Sequence, residues 1–225
     1  MSLTPSLSLS DVTFTHLLSD DLYTTYEGII QGKKCIVKFF TDKSDDNNET
    51  EVMTYFKANS VKPWLYPTPY FSDRDVEEYT VTLQPTGTGG SVITNTITGI
   101  FRAICYEYIE GCVLSDSSIC GEKEQIRAGV GEHLQDMHSH GFVFADIRDG
   151  NILRRVSTGE YQLIDYGRVF SVSDAEFPPM EYMLDDLRKR SRESATTDVY
   201  GTPLPTQEDD FQQVETVLAK CSSID

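Results

Sequence analysis

Three side chains in the second half of the chain have the types and spacing that phosphoryl transfer requires. They are Asp146, Asn151 five residues on, and Asp165, which opens the tripeptide Asp165-Tyr166-Gly167. Moving a phosphoryl group needs a carboxylate that receives or orients the proton of the attacking hydroxyl. It also needs an amide oxygen and a second carboxylate to hold magnesium against nucleotide phosphates. Both aspartates lie in apolar, strand-like runs, Phe142-Val143-Phe144-Ala145-Asp146 and Tyr161-Gln162-Leu163-Ile164-Asp165. A polar group in such a run must find partners or a metal, because burial without one is costly.

The elements around these residues explain how they could meet. Ser157-Thr158-Gly159 is a turn signal between Asn151-Ile152-Leu153-Arg154-Arg155-Val156 and Glu160–Asp165, so the two stretches pair as a hairpin. That pairing brings Asn151 close to Asp165; the bland reading is two polar residues capping an ordinary hairpin. Upstream, residues 25–30 read as a strand, Gln31-Gly32 as a hairpin turn and residues 34–40 as the return strand, with Lys38 inside the apolar part. Residues 48–56 look helical, with Val52 and Phe56 four apart on one face. A longer helix is expected over residues 115–141, where Ile126, Val130, Leu134 and Met137 form one apolar stripe and Gly141 supplies the stop. Further helices are expected at 180–194 and 211–219, the second with Thr206 as N-cap and Asp209 three residues later.

From about Leu22 to Val169 the chain resembles the protein-kinase-like superfamily in a small, divergent form. The resemblance rests on Cys35-Ile36-Val37-Lys38, on the run Phe101–Gly111 containing Glu107-Tyr108-Ile109-Glu110-Gly111, on Asp146 to Asn151, and on Asp165-Tyr166-Gly167. It implies an α+β, two-lobed fold in one domain spanning 1–225, with an antiparallel β N-lobe over 12–108 and a reduced helical C-lobe over 109–225. It also implies ATP and Mg²⁺ as cofactors. Lys38 would hold the α- and β-phosphates and pair with a helix carboxylate. Glu51 is preferred to Glu49 for that pairing because Tyr55 follows it by four residues. Backbone groups of Glu107 and Ile109 would bond adenine, with Tyr106 behind it. Asp146 would be catalytic and Asn151 and Asp165 would ligate the metal.

Four departures from the family pattern shape the functional reading. Phe144-Ala145 stands before Asp146, so the arginine that receives an activating phosphate is missing, and activity should not need that switch. Arg148 replaces the catalytic-loop lysine and can still neutralise a γ-phosphate, with two donors. The segment Leu17-Leu18-Ser19-Asp20-Asp21-Leu22 has no glycine where a glycine-rich loop would approach phosphates. Only 58 residues follow Gly167, so the peptide-docking part is reduced. The expected function is an ATP- and Mg²⁺-dependent phosphotransferase acting on a protein Ser/Thr or Tyr hydroxyl. Two alternatives stand beside it: a pseudokinase serving as a binding module, and a kinase for small-molecule hydroxyls of the aminoglycoside and choline type.

A formal charge of −17 argues against a nucleic-acid partner and leaves room for a basic protein partner. Five scattered cysteines, Cys35, Cys105, Cys112, Cys120 and Cys221, form no disulfide framework and fit a reducing compartment. No stretch reaches the roughly 20 apolar residues that a membrane span needs. The expectation is a cytoplasmic protein without a membrane partner. The three histidines His133, His138 and His140 lack the spacing of a zinc site, and the Thr/Gly-rich stretch 72–99 is expected to be a mobile hairpin extension without chemistry.

Overall fold

We describe a computed structural model of the chain over residues 7–20, 24–40, 49–83, 92–114, 122–171 and 206–220. The chain divides into two compact units. The first comprises residues 1–46 and 67–108, the second residues 47–66 and 109–225. The segment 47–66 groups with the second unit rather than with the sheet before it.

The first unit is a five-stranded antiparallel sheet. Its strands are β1 (Val12–Asp20), β2 (Thr24–Ile30), β3 (Lys33–Phe40), β4 (Pro69–Leu83) and β5 (Ile93–Glu107), in the order β1-β2-β3-β5-β4. Gln31 and Gly32 both have positive φ (50° and 77°), the backbone a two-residue hairpin turn demands, and Ile30 pairs with Lys33 across it. Alternate residues fill the core: Phe14, Tyr26, Phe39 and the partly buried Tyr79 form one aromatic cluster with centroids 5.5–6.2 Å apart. Of the stretch 72–99, expected as a hairpin extension, residues 72–83 and 92–99 are described and 84–91 lie outside the described residues. Within the described part Val81 and Ile97 are buried in this core, and the β4–β5 pairing runs from Pro69 opposite Tyr106 to Leu83 opposite Ile93. Cys35 and Cys105 are buried on neighbouring strands and are free thiols in mutual hydrogen-bond contact, which raises the Cys105 pKa and lowers that of Cys35.

Among the described residues the second unit holds three α-helices, α1 (Glu49–Asn59), α2 (Lys123–Ser139) and α3 (Gln207–Lys220). Its short strands are β6 (Gly111–Val113), β7 (Phe142–Val143), β8 (Ile152–Arg155), β9 (Tyr161–Leu163) and β10 (Phe170–Ser171), pairing as β6-β8-β9 and β7-β10. In α2 the expected stripe Ile126, Val130, Leu134 and Met137 is fully buried, and Gly141 follows the helix at φ 81°. Gly129 is explained by packing: a Cβ there would lie 2.6 Å from the Tyr161 carbonyl oxygen, so its absence lets α2 approach β9. Helix α3 opens with a reciprocal cap, Thr206 Oγ1 and N–H donating to Asp209 while the Asp209 N–H donates back to Thr206 Oγ1. Helix α1 is fastened to this unit by Phe56 stacked on Tyr66 (4.5 Å, 5°) and against Phe142. Ser60 and Tyr66 hydroxyls both donate to Asp136 of α2, at 2.7 and 2.6 Å. The helix expected at 180–194, the Asp20 side chain and Asp21 lie outside the described residues. Among those described, no helix is long and apolar enough to cross a membrane.

Candidate active site

The hairpin predicted from Ser157-Thr158-Gly159 forms, with Ile152 opposite Leu163 and Arg154 opposite Tyr161. At its base the Ile164 N–H donates to the Asn151 carbonyl (2.9 Å), which sets Asn151 beside the residue preceding Asp165. Asn151 is 3 % exposed, and its Nδ2 donates to both the backbone oxygen and Oδ2 of Asp146, at 2.9 and 3.0 Å. Both bonds use Nδ2, which leaves Oδ1 to a ligand.

Asp146 lies in a frame of cations. Arg148 Nε is 3.5 Å from its Oδ2 and Arg168 Nη1 is 3.7 Å from its Oδ1. The same Arg148 reaches Asp165 Oδ2 through Nη2 at 3.9 Å. Asp146, Arg148, Asn151 and Asp165 are therefore one cluster. Arg148 is the most open member, with 60 % of its side chain exposed, so it can swing to an incoming anion at little cost.

The backbone leading into Asp146 is held from α3. Asp210 is fully buried and accepts the Phe144 N–H on Oδ2 and the Ala145 N–H on Oδ1, both at 2.9 Å. His138 Nε2 lies 2.9 Å from Oδ2 of the same carboxylate, and Gln213 Oε1 accepts the Ile147 N–H at 2.8 Å. These bonds fix Ala145 at φ 62°, a conformation that L residues with a Cβ rarely adopt. Sequence reasoning missed Asp210, since Asp209 beside it was the cap residue. The available signal was a carboxylate on the stripe formed with Val214, Val217 and Leu218, all buried. Arg168 was also missed.

The two helix carboxylates Glu49 and Glu51 occupy different faces of α1. Glu49, Val52, Met53 and Phe56 share the buried face of α1 at i, i+3, i+4 and i+7, whereas Glu51 is off that stripe and half-buried. Glu49 Oε1 accepts the Tyr166 N–H at 3.3 Å, so Glu49 is the residue that the helix directs at the Asp165 turn.

In the first unit Lys38 is 7 % exposed on β3, with its Nζ 5.7 Å from the centre of the Tyr106 ring. The Glu107 N–H donates to the Thr68 carbonyl at 2.8 Å, so an adenine contact at Glu107 would have to use its carbonyl. Ile109 is half-buried in the link after β5.

No protein-family model and no curated protein matches the chain. Solved structures do. A Stt7 homolog from Micromonas algae, in a crystal soaked with ATP, aligns with a TM-score of 0.60 at 14% identity, over 98% of this chain and 72% of that one. The Cydia pomonella granulovirus kinase PK-1 aligns with a TM-score of 0.57 at 12% identity, over 96% and 70%. The chain carries the protein-kinase-like fold. Within that α+β fold, the sheet bearing Lys38 and Glu107 is the N-lobe and the unit bearing Asp146, Asn151 and Asp165 is the C-lobe. The donors at the latter suit Mg²⁺: a carboxylate from Asp165 and the Asn151 amide oxygen are hard ligands, and Mg²⁺ characteristically takes one or two carboxylates beside waters and phosphates.

Proposed function

We propose that the chain is an ATP- and Mg²⁺-dependent phosphotransferase that acts on a hydroxyl acceptor. The observation that carries this reading is the cluster of Asp146, Asn151, Asp165 and Arg148 at the base of one hairpin, with Asn151 bonded to Asp146 at 3.0 Å. Asp165 and Asn151 would hold Mg²⁺, which when bound neutralises phosphate charge. Asp146 orients the acceptor hydroxyl and takes its proton. The acceptor oxygen forms its bond to the γ-phosphorus as the bond to the β,γ-bridging oxygen breaks, and ADP leaves. Arg148 turns outward to the γ-phosphoryl oxygens. Lys38 is assigned to the α- and β-phosphates, and Glu49 replaces Glu51 as the helix carboxylate. The acceptor we favour is a protein hydroxyl; a small-molecule hydroxyl is the other class, and a cytoplasmic location and a basic partner remain part of the proposal.

A second reading, a catalytically silent binding module, is supported by the glycine-free segment Leu17–Leu22. Transfer of ³²P from γ-labelled ATP to protein and small-molecule acceptor panels separates the readings. The enzyme reading expects labelling that vanishes in Asp146→Asn. Absence of both labelling and nucleotide binding in the folded protein supports the silent module.

A further inference from the structure

His133 is completely buried on α2 and takes part in a closed ring of hydrogen bonds. The Leu163 N–H donates to its Nδ1 at 3.1 Å, so the ring proton resides on Nε2. That nitrogen faces the Tyr166 hydroxyl at 3.3 Å, and the hydroxyl in turn donates to the Leu163 carbonyl at 3.0 Å. Every polar atom in the ring has a partner, the condition under which a buried polar network rigidifies its surroundings. Burial also holds the imidazole neutral, its pKa lowered to about 3.

The residue gripped by this ring directly follows Asp165. Tyr166 is fully buried, with its ring 5.9 Å from those of Tyr66 and Phe144, and its backbone N–H is taken by Glu49. It is thus fixed at the backbone by α1 and at its tip by α2 and β9. Asp165 itself has φ 67°, a left-handed conformation that a non-glycine residue keeps only where its surroundings over-determine it. Packing would need only the ring. The hydroxyl adds an anchor that a phenylalanine would lack.

We propose that the His133–Tyr166 hydroxyl pair is a positioning device that holds the Asp165 carboxylate in its metal-binding orientation without any activating event. The inference rests on the reading of Asp165 as a metal ligand. Groups that orient a ligating carboxylate typically govern metal affinity by about 10–100-fold. In Tyr166→Phe, which deletes one oxygen, the Mg²⁺ concentration at half-maximal ATP binding should rise about tenfold. Affinity for ATP at saturating Mg²⁺ should stay within about twofold. Amide hydrogen exchange at Tyr166 and Gly167 should accelerate in the metal-free protein. A merely structural hydroxyl would lower the melting temperature and leave the Mg²⁺ midpoint in place.

The experiment is a Mg²⁺ titration of ATP binding by calorimetry on wild type and Tyr166→Phe, with exchange measured on both metal-free proteins. A raised midpoint with faster local exchange supports the inference. An unchanged midpoint in a variant whose wild type binds Mg²⁺·ATP overturns this inference alone. A wild type that binds ATP with no Mg²⁺ dependence overturns the metal reading of Asp165, and the inference with it.

Discussion

Replacing Asp210 by asparagine is the sharpest test of how the catalytic backbone is held. The carboxylate uses both oxygens, Oδ1 for the Ala145 N–H and Oδ2 for the Phe144 N–H, with His138 Nε2 also on Oδ2. An asparagine side chain offers one acceptor oxygen and one NH₂. Whichever way it turns, one backbone N–H meets a donor and is left buried without a partner, costing about 1–3 kcal/mol. Loss of a charge-assisted bond adds a similar amount, roughly 1.5–3 kcal/mol. Asp210 is fully buried, so solvent does not screen these terms. We expect a destabilisation of about 3–5 kcal/mol in the C-lobe unit, read by urea denaturation with tryptophan emission. Trp64, the only tryptophan, lies in that unit, where its carbonyl accepts from Arg155. In a thermal melt the shift is several degrees, about 2–4 °C per kcal/mol for a chain of this size. A variant within about 0.5 kcal/mol of wild type, the ordinary range for a surface substitution, would refute the idea that this carboxylate braces Phe144 and Ala145.

Other expectations follow from the same geometry. His133 is buried neutral with its pKa lowered from 6.5 to about 3, so the unfolded chain binds the extra proton first. Its contribution is complete above pH 6.5 and is lost at up to about 1.4 kcal/mol per unit as pH falls towards 3; in Asp210-intact protein, urea midpoints that stay flat between pH 7 and 5 would contradict this. Gly129→Ala should destabilise by about 1–3 kcal/mol because its Cβ meets the Tyr161 backbone. Gly131→Ala, with nothing within 4 Å, should stabilise by about 0.5–1 kcal/mol on the same denaturation assay. Asp146→Asn should cut phosphotransfer by roughly 10²–10⁴-fold while ATP affinity stays unchanged in calorimetry; equal rates would remove Asp146 from the mechanism.

What the sequence revealed depended on whether a position was fixed by neighbours in the chain. The Gln31-Gly32 turn, the Thr206–Asp209 cap and the β8–β9 hairpin are local, and each was legible from residue type alone. Asn151 and Asp165 meet at the base of that hairpin, and Asp146 joins them through the local bond from Asn151 Nδ2. Glu49 shares its stripe with Val52, Met53 and Phe56, a helical periodicity present in the sequence, whereas an aromatic four residues on marks Glu51. Asp210 is 64 residues from Asp146, and Arg168 follows the Asp165 turn with no periodicity to mark it. Such partners are chosen by tertiary packing, which local pattern does not encode. The grouping of α1 with the C-lobe arises similarly, from Ser60 and Tyr66 meeting Asp136, 76 and 70 residues on.

On the proposed function, this kinase-like fold binds nucleotide through a metal held at Asp165. Calorimetry of ATP binding with and without Mg²⁺, on wild type and Asp165→Asn, tests it most directly. Binding should require Mg²⁺ in wild type and collapse in the variant. Absence of binding at millimolar ATP in a folded wild type, or equal Mg²⁺-dependent binding in both proteins, would contradict it.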